Sequence, residues 1–409
     1  MQIEQVSDNL QTQFSKYSRT ATKQKKPTAD LNLMVIDFDS EVLQQQSTYT
    51  SKVFIYAVDG NEKTYHVTVS GFNHYFYAPS PFEKGKTPES FLKSVQMTIN
   101  KQFAERPVES VELVTKESLM NYKSEKDGKK DFLRITLNNY EMLSKVRSRF
   151  ENNLTVDRVS FQTVTYESSV LYTIRYMIDQ GIRGMSWITI PAGKYTITPD
   201  KAKRSSCIEE IDVHYADVIA NAYTDPAWSE IAPLRLMSFD IECKAVKGMP
   251  KPETNEVITI GVVCKLHNKR GVSHKIVFQL GDCEEIVGTD LYCFDKEEDM
   301  LLAFDTFIES YDPDVLIGYN MVNFDMDYIT KRKAQFKSLD LTYWGRKLGE
   351  ETKAREGKFN SKAMGFRETL EFNMSGRIQL DMYIHMLREK KLRSYKLNSV
   401  CYEFLNEQK

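Results

Sequence analysis

No apolar run in the 409 residues reaches the roughly 20 that a membrane-spanning helix requires. No CxxC pair occurs among the six cysteines, Cys207, Cys243, Cys264, Cys283, Cys293 and Cys401. Their irregular spacing argues against a zinc centre and against a disulfide framework, and it fits a reducing compartment. Neither sign of charge is in excess. With 55 Lys and Arg against 57 Asp and Glu, a net charge of −2 gives the surface as a whole no pull on phosphate. Any such affinity must come from a local patch. What is present is an ordinary globular composition, 41% apolar and 27% charged, over a length that calls for two or three domains.

Residues 1–30 are polar and lack the apolar stretch of a signal peptide. They are expected to be a disordered leader, with Lys23, Lys25 and Lys26 as a solvated basic cluster rather than an import signal. A first domain is expected over 31–232. Residues 33–38, 52–58 and 63–70 are strand-like, and Asp59-Gly60 between the last two is tight-hairpin chemistry. After the aromatic stretch 72–78, Thr87-Pro88 opens a helix to 103, on which Phe91, Val95, Ile99 and Phe103 recur every four residues. Strands at 108–115 and 132–137, a charged loop at 123–130, a helix at 140–150 and a strand at 159–165 complete a β-α-β-β-α-β order, that of a ferredoxin-like layer. Residues 170–230 read as further strands. Aromatics Tyr75, Phe76 and Tyr77 read as core rather than as a base-stacking face.

A new pattern begins at Ile231-Ala232-Pro233 and defines a second expected domain, 233–409. Strands are expected at 234–242, 257–266, 274–280 and 315–319. A helix is expected over 297–310 with Asp295 and Glu298 as its capping box, and another from about Phe324. Three strands, helix, strand, helix is the order of a ribonuclease-H-like core. The fold class is therefore mixed: a ferredoxin-like and mixed-β amino-terminal domain (α+β), then a ribonuclease-H-like α/β domain.

Within Ser238-Phe239-Asp240-Ile241-Glu242, strand alternation puts Asp240 and Glu242 side by side and sends Phe239 and Ile241 to the packed face. Two such acids repel unless a cation lies between them, and Mg²⁺ prefers oxygen ligands of this kind. Asn320-Met321-Val322-Asn323-Phe324-Asp325 follows a buried strand and puts Asp325 at a helix entrance, where α/β sheets collect ligands. A third carboxylate there makes a plausible two-metal site.

Phe-Asp-Ile-Glu followed by Tyr-Asn-x-x-Asn-Phe-Asp resembles the first two exonuclease motifs of family-B DNA polymerases. The stretches 231–243, 312–320, 376–382 and 392–400 look like the delta branch in particular, as do 71–81, 132–137 and 191–195 in the first domain. The resemblance implies 3′–5′ proofreading during DNA replication, with Asp240, Glu242 and Asp325 holding two Mg²⁺ (or Mn²⁺) ions. Asn320, Asn323 and Phe324 would touch the terminal nucleotides of a single-stranded 3′ end. By the same resemblance the partners are primer-template DNA, a sliding clamp and accessory subunits, and the location is the nucleus. The family pattern also asks for a later Tyr-x-x-x-Asp. No tyrosine after Asp325 has Asp four residues on, so the chain is expected to end before that motif, to lack the polymerase palm and to hydrolyse DNA weakly or not at all by itself. A catalytically incomplete DNA-binding or scaffold fragment, or a viral or other-branch relative, is the competing reading.

Three further features are weighed. Residues 331–367 hold eleven Lys or Arg against four acids, and Arg346, Lys347 and Lys358, interleaved with Tyr343, Trp344 and Phe359, form a candidate DNA-binding patch. Asp37 and Asp39 mimic the acidic strand without a following helix-borne acid and are expected to be structural. Asp381 is expected to bond a neighbouring loop rather than a metal.

Overall fold

The computed structural model describes residues 9–20, 22, 26–46, 48–117, 128–245, 247–339, 341–361 and 365–407. Most of the expected charged loop at 123–130, and Lys23 and Lys25, lie outside them. In the first part, β1 (Leu31–Gln45), β2 (Thr48–Asp59) and β3 (Thr64–Ser70) run antiparallel. The β2–β3 turn closes because the Asp59 carboxylate accepts the N–H groups of Asn61 (2.8 Å) and Lys63 (3.0 Å), the local bonding that favours Asp in turns. Next come β4 (His74–Pro79), α1 (Glu89–Asn100), β5 (Val108–Lys116), β6 (Lys130–Leu137), α2 (Leu143–Glu151), β7 (Leu154–Val156) and β8 (Val159–Phe161). Strand order β4-β6-β5, all antiparallel, with α1 and α2 burying Phe91, Val95, Val146 and Phe150 against it, is a ferredoxin-like layer short of its last strand. Of the expected fourth strand, residues 159–161 form β8 and pair with β7 instead, and among the described residues the chain beyond it meets β4 at a Tyr77–Tyr166 bridge.

Residues expected as strand form α3 (Tyr172–Gln180), ended by Gly181 at φ 69°. Tyr172 and Tyr176 are buried and Ile174 and Ile178 exposed, a helical spacing hidden among β-favouring residue types. β9 (Trp187–Ile190), β10 (Tyr195–Ile197), β11 (Glu209–His214) and β12 (Ile219–Ala220) complete a seven-stranded sheet, β10-β11-β3-β2-β1-β9-β12.

The second part runs β13 (Arg235–Cys243), β14 (Val257–Leu266), β15 (His274–Leu280), β16 (Asp290–Phe294), α4 (Glu297–Tyr311), β17 (Val315–Gly318) and α5 (Asp325–Lys333). A hairpin of β18 (Ala354–Ser361) and β19 (Gly365–Phe372) follows, then β20 (Ile378–Asp381), α6 (Met382–Glu389) and α7 (Leu397–Leu405). Its sheet order is β16-β15-β14-β13-β17-β20, with β13, β14 and β15 antiparallel and β17 and β20 parallel to β13. Apart from the edge strand β16, this is the ribonuclease-H-like arrangement. α4 buries Met300, Phe304 and Phe307 against Phe239 and Phe278. Each such side chain contributes about 1.5–3 kcal/mol. The expected capping box does not form: Lys296 precedes α4 without a side-chain cap. Glu297 turns inward instead, accepting from Val257 N–H (2.8 Å) and pairing with Arg332 (2.7 Å). Neither β16 nor the β18–β19 hairpin is expected from the sequence.

The leader is not disordered where it is described. Residues 9–14 are helical and continue into a 3₁₀ turn at Ser15–Tyr17. Leu10, Phe14 and Tyr17, at helical i, i+4, i+7 spacing, are buried in the core of the second part, with Phe14 edge-on to Phe278, Tyr292 and Phe307. Arg19 then donates to the Glu62 carbonyl in the β2–β3 turn and pairs with Asp312 and Asp314 (2.7 Å each). Arg346 joins both aspartates, and Arg377 joins Asp312. Although burial works against the charge, Arg346, Arg19 and Arg377 hold the Asp312 carboxyl well below the usual carboxylate range.

Candidate active site

β17 pairs with β13 only as far as Ser238, opposite Ile317, whereas β13 continues to Cys243. Among the described residues, the strand edge beyond Ser238 therefore has no strand neighbour on that side. Asp325, the first residue of α5, fills the gap: its Oδ1 accepts the Ile241 N–H at 2.9 Å. Along β13, Phe239 and Ile241 are buried (3% and 4% exposed) and Asp240 and Glu242 exposed, as alternation requires.

Asp325 is itself buried, 1% exposed. Burial pushes its carboxyl up to about 7 and the nearby Asp240 adds to the rise, while the Ile241 N–H opposes it. An acid bonded to the backbone between two exposed acids is a donor set of hard oxygens, the type that suits Mg²⁺ or Mn²⁺. Among the described residues, however, no three His, Cys, Asp or Glu side chains form one group that could hold an ion. The acids stand as a pair on β13 and a separate, inward-turned carboxylate on α5.

The loop between β17 and α5 carries the other expected site residues. Asn320 has φ 63°, and its Oδ1 accepts from Asn323 Nδ2 (3.2 Å). Asn323 is exposed, and Phe324 is half-buried, tilted against Tyr328. Beside Asp240 a cavity of about 390 Å³ opens, walled by Tyr319, Met386, Val400 and Phe404.

The basic patch is corrected. Arg346 is fully buried and spends its guanidinium on Asp312 (2.9 Å), Asp314 (2.7 Å) and the Gly376 carbonyl. Lys347 pairs with Asp39 at 2.7 Å. Lys333 pairs with Asp305, Lys331 with Asp327, and Trp344 is core, bonded to Asp305. The side chain of Lys358 lies outside the described ones. At Lys333, Arg346 and Lys347 the positive charge is met by acids from distant segments, which local counting cannot see. Asp37 and Asp39 are structural as expected, and so is Asp381, which accepts from the Asn320 N–H.

A ribonuclease-H-like sheet with an acidic pair on its first strand and an acid at the following helix entrance defines a class of nucleic-acid-processing domain. A family model for the exonuclease domain of DNA polymerase family B matches residues 163–400, and the chain belongs to that family. The DNA polymerase delta catalytic subunit of Candida albicans is 35% identical over 99% of this chain and 37% of its own length. That of Bos taurus is 37% identical over 83% of this chain and 31% of its own. The chain spans about a third of the length of these curated relatives. The solved family B DNA polymerase of the archaeon Pyrobaculum calidifontis shares the fold, with a TM-score of 0.63 at 20% identity over 92% of this chain and 40% of that one.

Among the described residues, no helix is long and apolar enough to cross a membrane.

Proposed function

We propose that this chain is the amino-terminal and exonuclease part of a delta-type replicative DNA polymerase. Residues 31–232 form its amino-terminal domain and 233–409 its exonuclease domain. The site on β13 and α5 removes 3′-terminal nucleotides by metal-dependent hydrolysis. The observation that carries this reading is the Asp325 carboxylate bonded to Ile241 N–H, between exposed Asp240 and Glu242.

Asp240, Glu242 and Asp325 would hold two divalent ions, Mg²⁺ or Mn²⁺. When bound, such ions polarise the phosphodiester and lower the pKa of a water. Asp240 and Glu242 face the side from which DNA arrives, while Phe239 and Ile241 fix their backbone in the core. Asp325 ties the helix entrance to the strand edge, so that the three acids keep their spacing. Exposed Asn323 and half-buried Phe324 meet the terminal nucleotides of a single-stranded 3′ end, with Asn320 bracing Asn323. A DNA substrate is supported by the names of the delta relatives, and nuclear location, a sliding clamp and accessory subunits are carried as part of the same proposal.

The test is release of a 3′-terminal label from single-stranded DNA in Mn²⁺ or Mg²⁺. Slow, chelator-sensitive release is expected, lowered at least about 100-fold by Asp240→Ala. Release that survives Asp240→Ala unchanged, or proceeds from the 5′ end, overturns the reading.

A further inference from the structure

Asp381 closes β20, level with Gly318 at the end of β17 in the parallel register. It is 6% exposed, and its two oxygens accept three backbone N–H groups. Asn320 (2.8 Å) and Tyr383 (3.0 Å) donate to Oδ1, and Val322 (3.1 Å) donates to Oδ2. The Tyr383 bond caps α6, an ordinary use of Asp before a helix. The other two are not needed for that cap. They go to the loop between β17 and α5.

That loop is tightly folded. Asn320 is in the left-handed region at φ 63°, and a Cβ on Gly318 would lie 2.5 Å from that of Met321. Its geometry passes directly into α5: Phe324 N–H donates to the Asn320 carbonyl (3.0 Å) and Met326 N–H to the Met321 carbonyl (2.8 Å). Asp325 lies between those two donors, and its carboxylate reaches Ile241 across the strand edge. A continuous run of hydrogen bonds thus leads from Asp381 through the loop and the first turn of α5 to β13.

We propose that Asp381 is a positioning residue for the site: its carboxylate holds the β17–α5 loop so that Asp325 is set against Ile241 beside Asp240. The inference rests on the hydrolytic reading of those acids. Asp381 is not a further ion ligand in this scheme: it is buried, and each of its oxygens is already turned to a backbone N–H. A carboxylate is required rather than an amide, since the –NH₂ of Asn would face the Val322 N–H, donor against donor.

The test uses the full chain with Asp381→Asn and with Asp381→Ser, the latter keeping an oxygen to cap α6. Amide hydrogen exchange is measured without metal or DNA. Expected is at least about tenfold faster exchange at Asn320, Val322 and also Ile241, with β14 unchanged. Faster exchange confined to the loop and Tyr383, with Ile241 still protected, overturns the proposal. Should Asp381→Asn fail to fold, Asp381→Ser decides.

Mn²⁺ affinity by calorimetry gives a second readout. Asp381→Asn is expected to weaken binding about tenfold, and to have no further effect in an Asp325→Asn background. Equal weakening in both backgrounds overturns the positioning role. If the unsubstituted chain takes up no Mn²⁺, the hydrolytic reading fails, and the exchange of Ile241 alone judges Asp381.

Discussion

In β1, Asp37 and Asp39 flank Phe38; in β13, Asp240 and Glu242 flank Ile241 at the same spacing. The β1 pair is spent on structure. Asp37 accepts the N–H groups of Phe38 and Gly376 (2.8 Å each), and Asp39 accepts the Ser40 N–H and pairs with Lys347 (2.7 Å each). Gly376, at φ 83°, must lack a side chain, because a Cβ would lie 2.6 Å from the Tyr56 ring on β2. These acids thereby tie the first sheet to the second part. The β13 pair is exposed, and the entrance of α5 beside it supplies another acid, Asp325. Strand alternation decides where two acids point; the neighbouring segments decide what else meets them there.

The largest way to break the comparison is Arg346→Ala, which strips a buried partner from Asp312 and Asp314 and releases the Gly376 carbonyl. A loss of about 3–5 kcal/mol in denaturant unfolding is expected. A loss below about 1 kcal/mol would mean that this network does not support the β1 side.

Asp325→Asn sharpens the other side. The carboxyl is raised to about 7, so the folded state holds its proton more tightly than the unfolded chain. Its favourable contribution is complete at low pH, near the unfolded carboxylate value, and fades as pH rises through 7. The amide can still accept from Ile241 N–H without ionising. Asp325→Asn should therefore be more stable than the parent at pH 8, by at most roughly 4 kcal/mol at about 1.4 kcal/mol per unit, while 3′ release is lost. Urea midpoints at pH 5 and 8 measure it; an advantage that does not grow with pH refutes the buried-acid account.

Smaller effects separate the two pairs directly. Asp37→Ala should cost about 1–2 kcal/mol by leaving the Gly376 N–H unmet, with 3′ release per folded molecule unchanged. Asp240→Ala should do the reverse, shifting stability by no more than about 0.5 kcal/mol. Last is Lys347→Ala, which touches stability alone. Its half-exposed pair with Asp39 is worth up to about 1 kcal/mol, and the salt dependence of DNA binding should not change. A flatter salt slope would restore Lys347 to the DNA-binding surface.

Much of this protein can be read along the chain, because strand alternation and helical spacing are local. Phe239 and Ile241 against Asp240 and Glu242 gave the orientation of β13, and the Gly318-to-Asp325 stretch marked a strand ending at a helix. Where spacing competed with composition, the reading failed. The polar average of residues 9–17 concealed Leu10, Phe14 and Tyr17, and the β-favouring residues of α3 concealed its turn at Gly181. Charge was the least legible property. Arg346 and Lys347 look like a surface patch until Asp312, Asp314 and Asp39 arrive from other segments. Ion pairing and burial depend on distance in space, and only the folded chain brings together residues as far apart as Arg19 and Asp314, or Asp325 and Ile241.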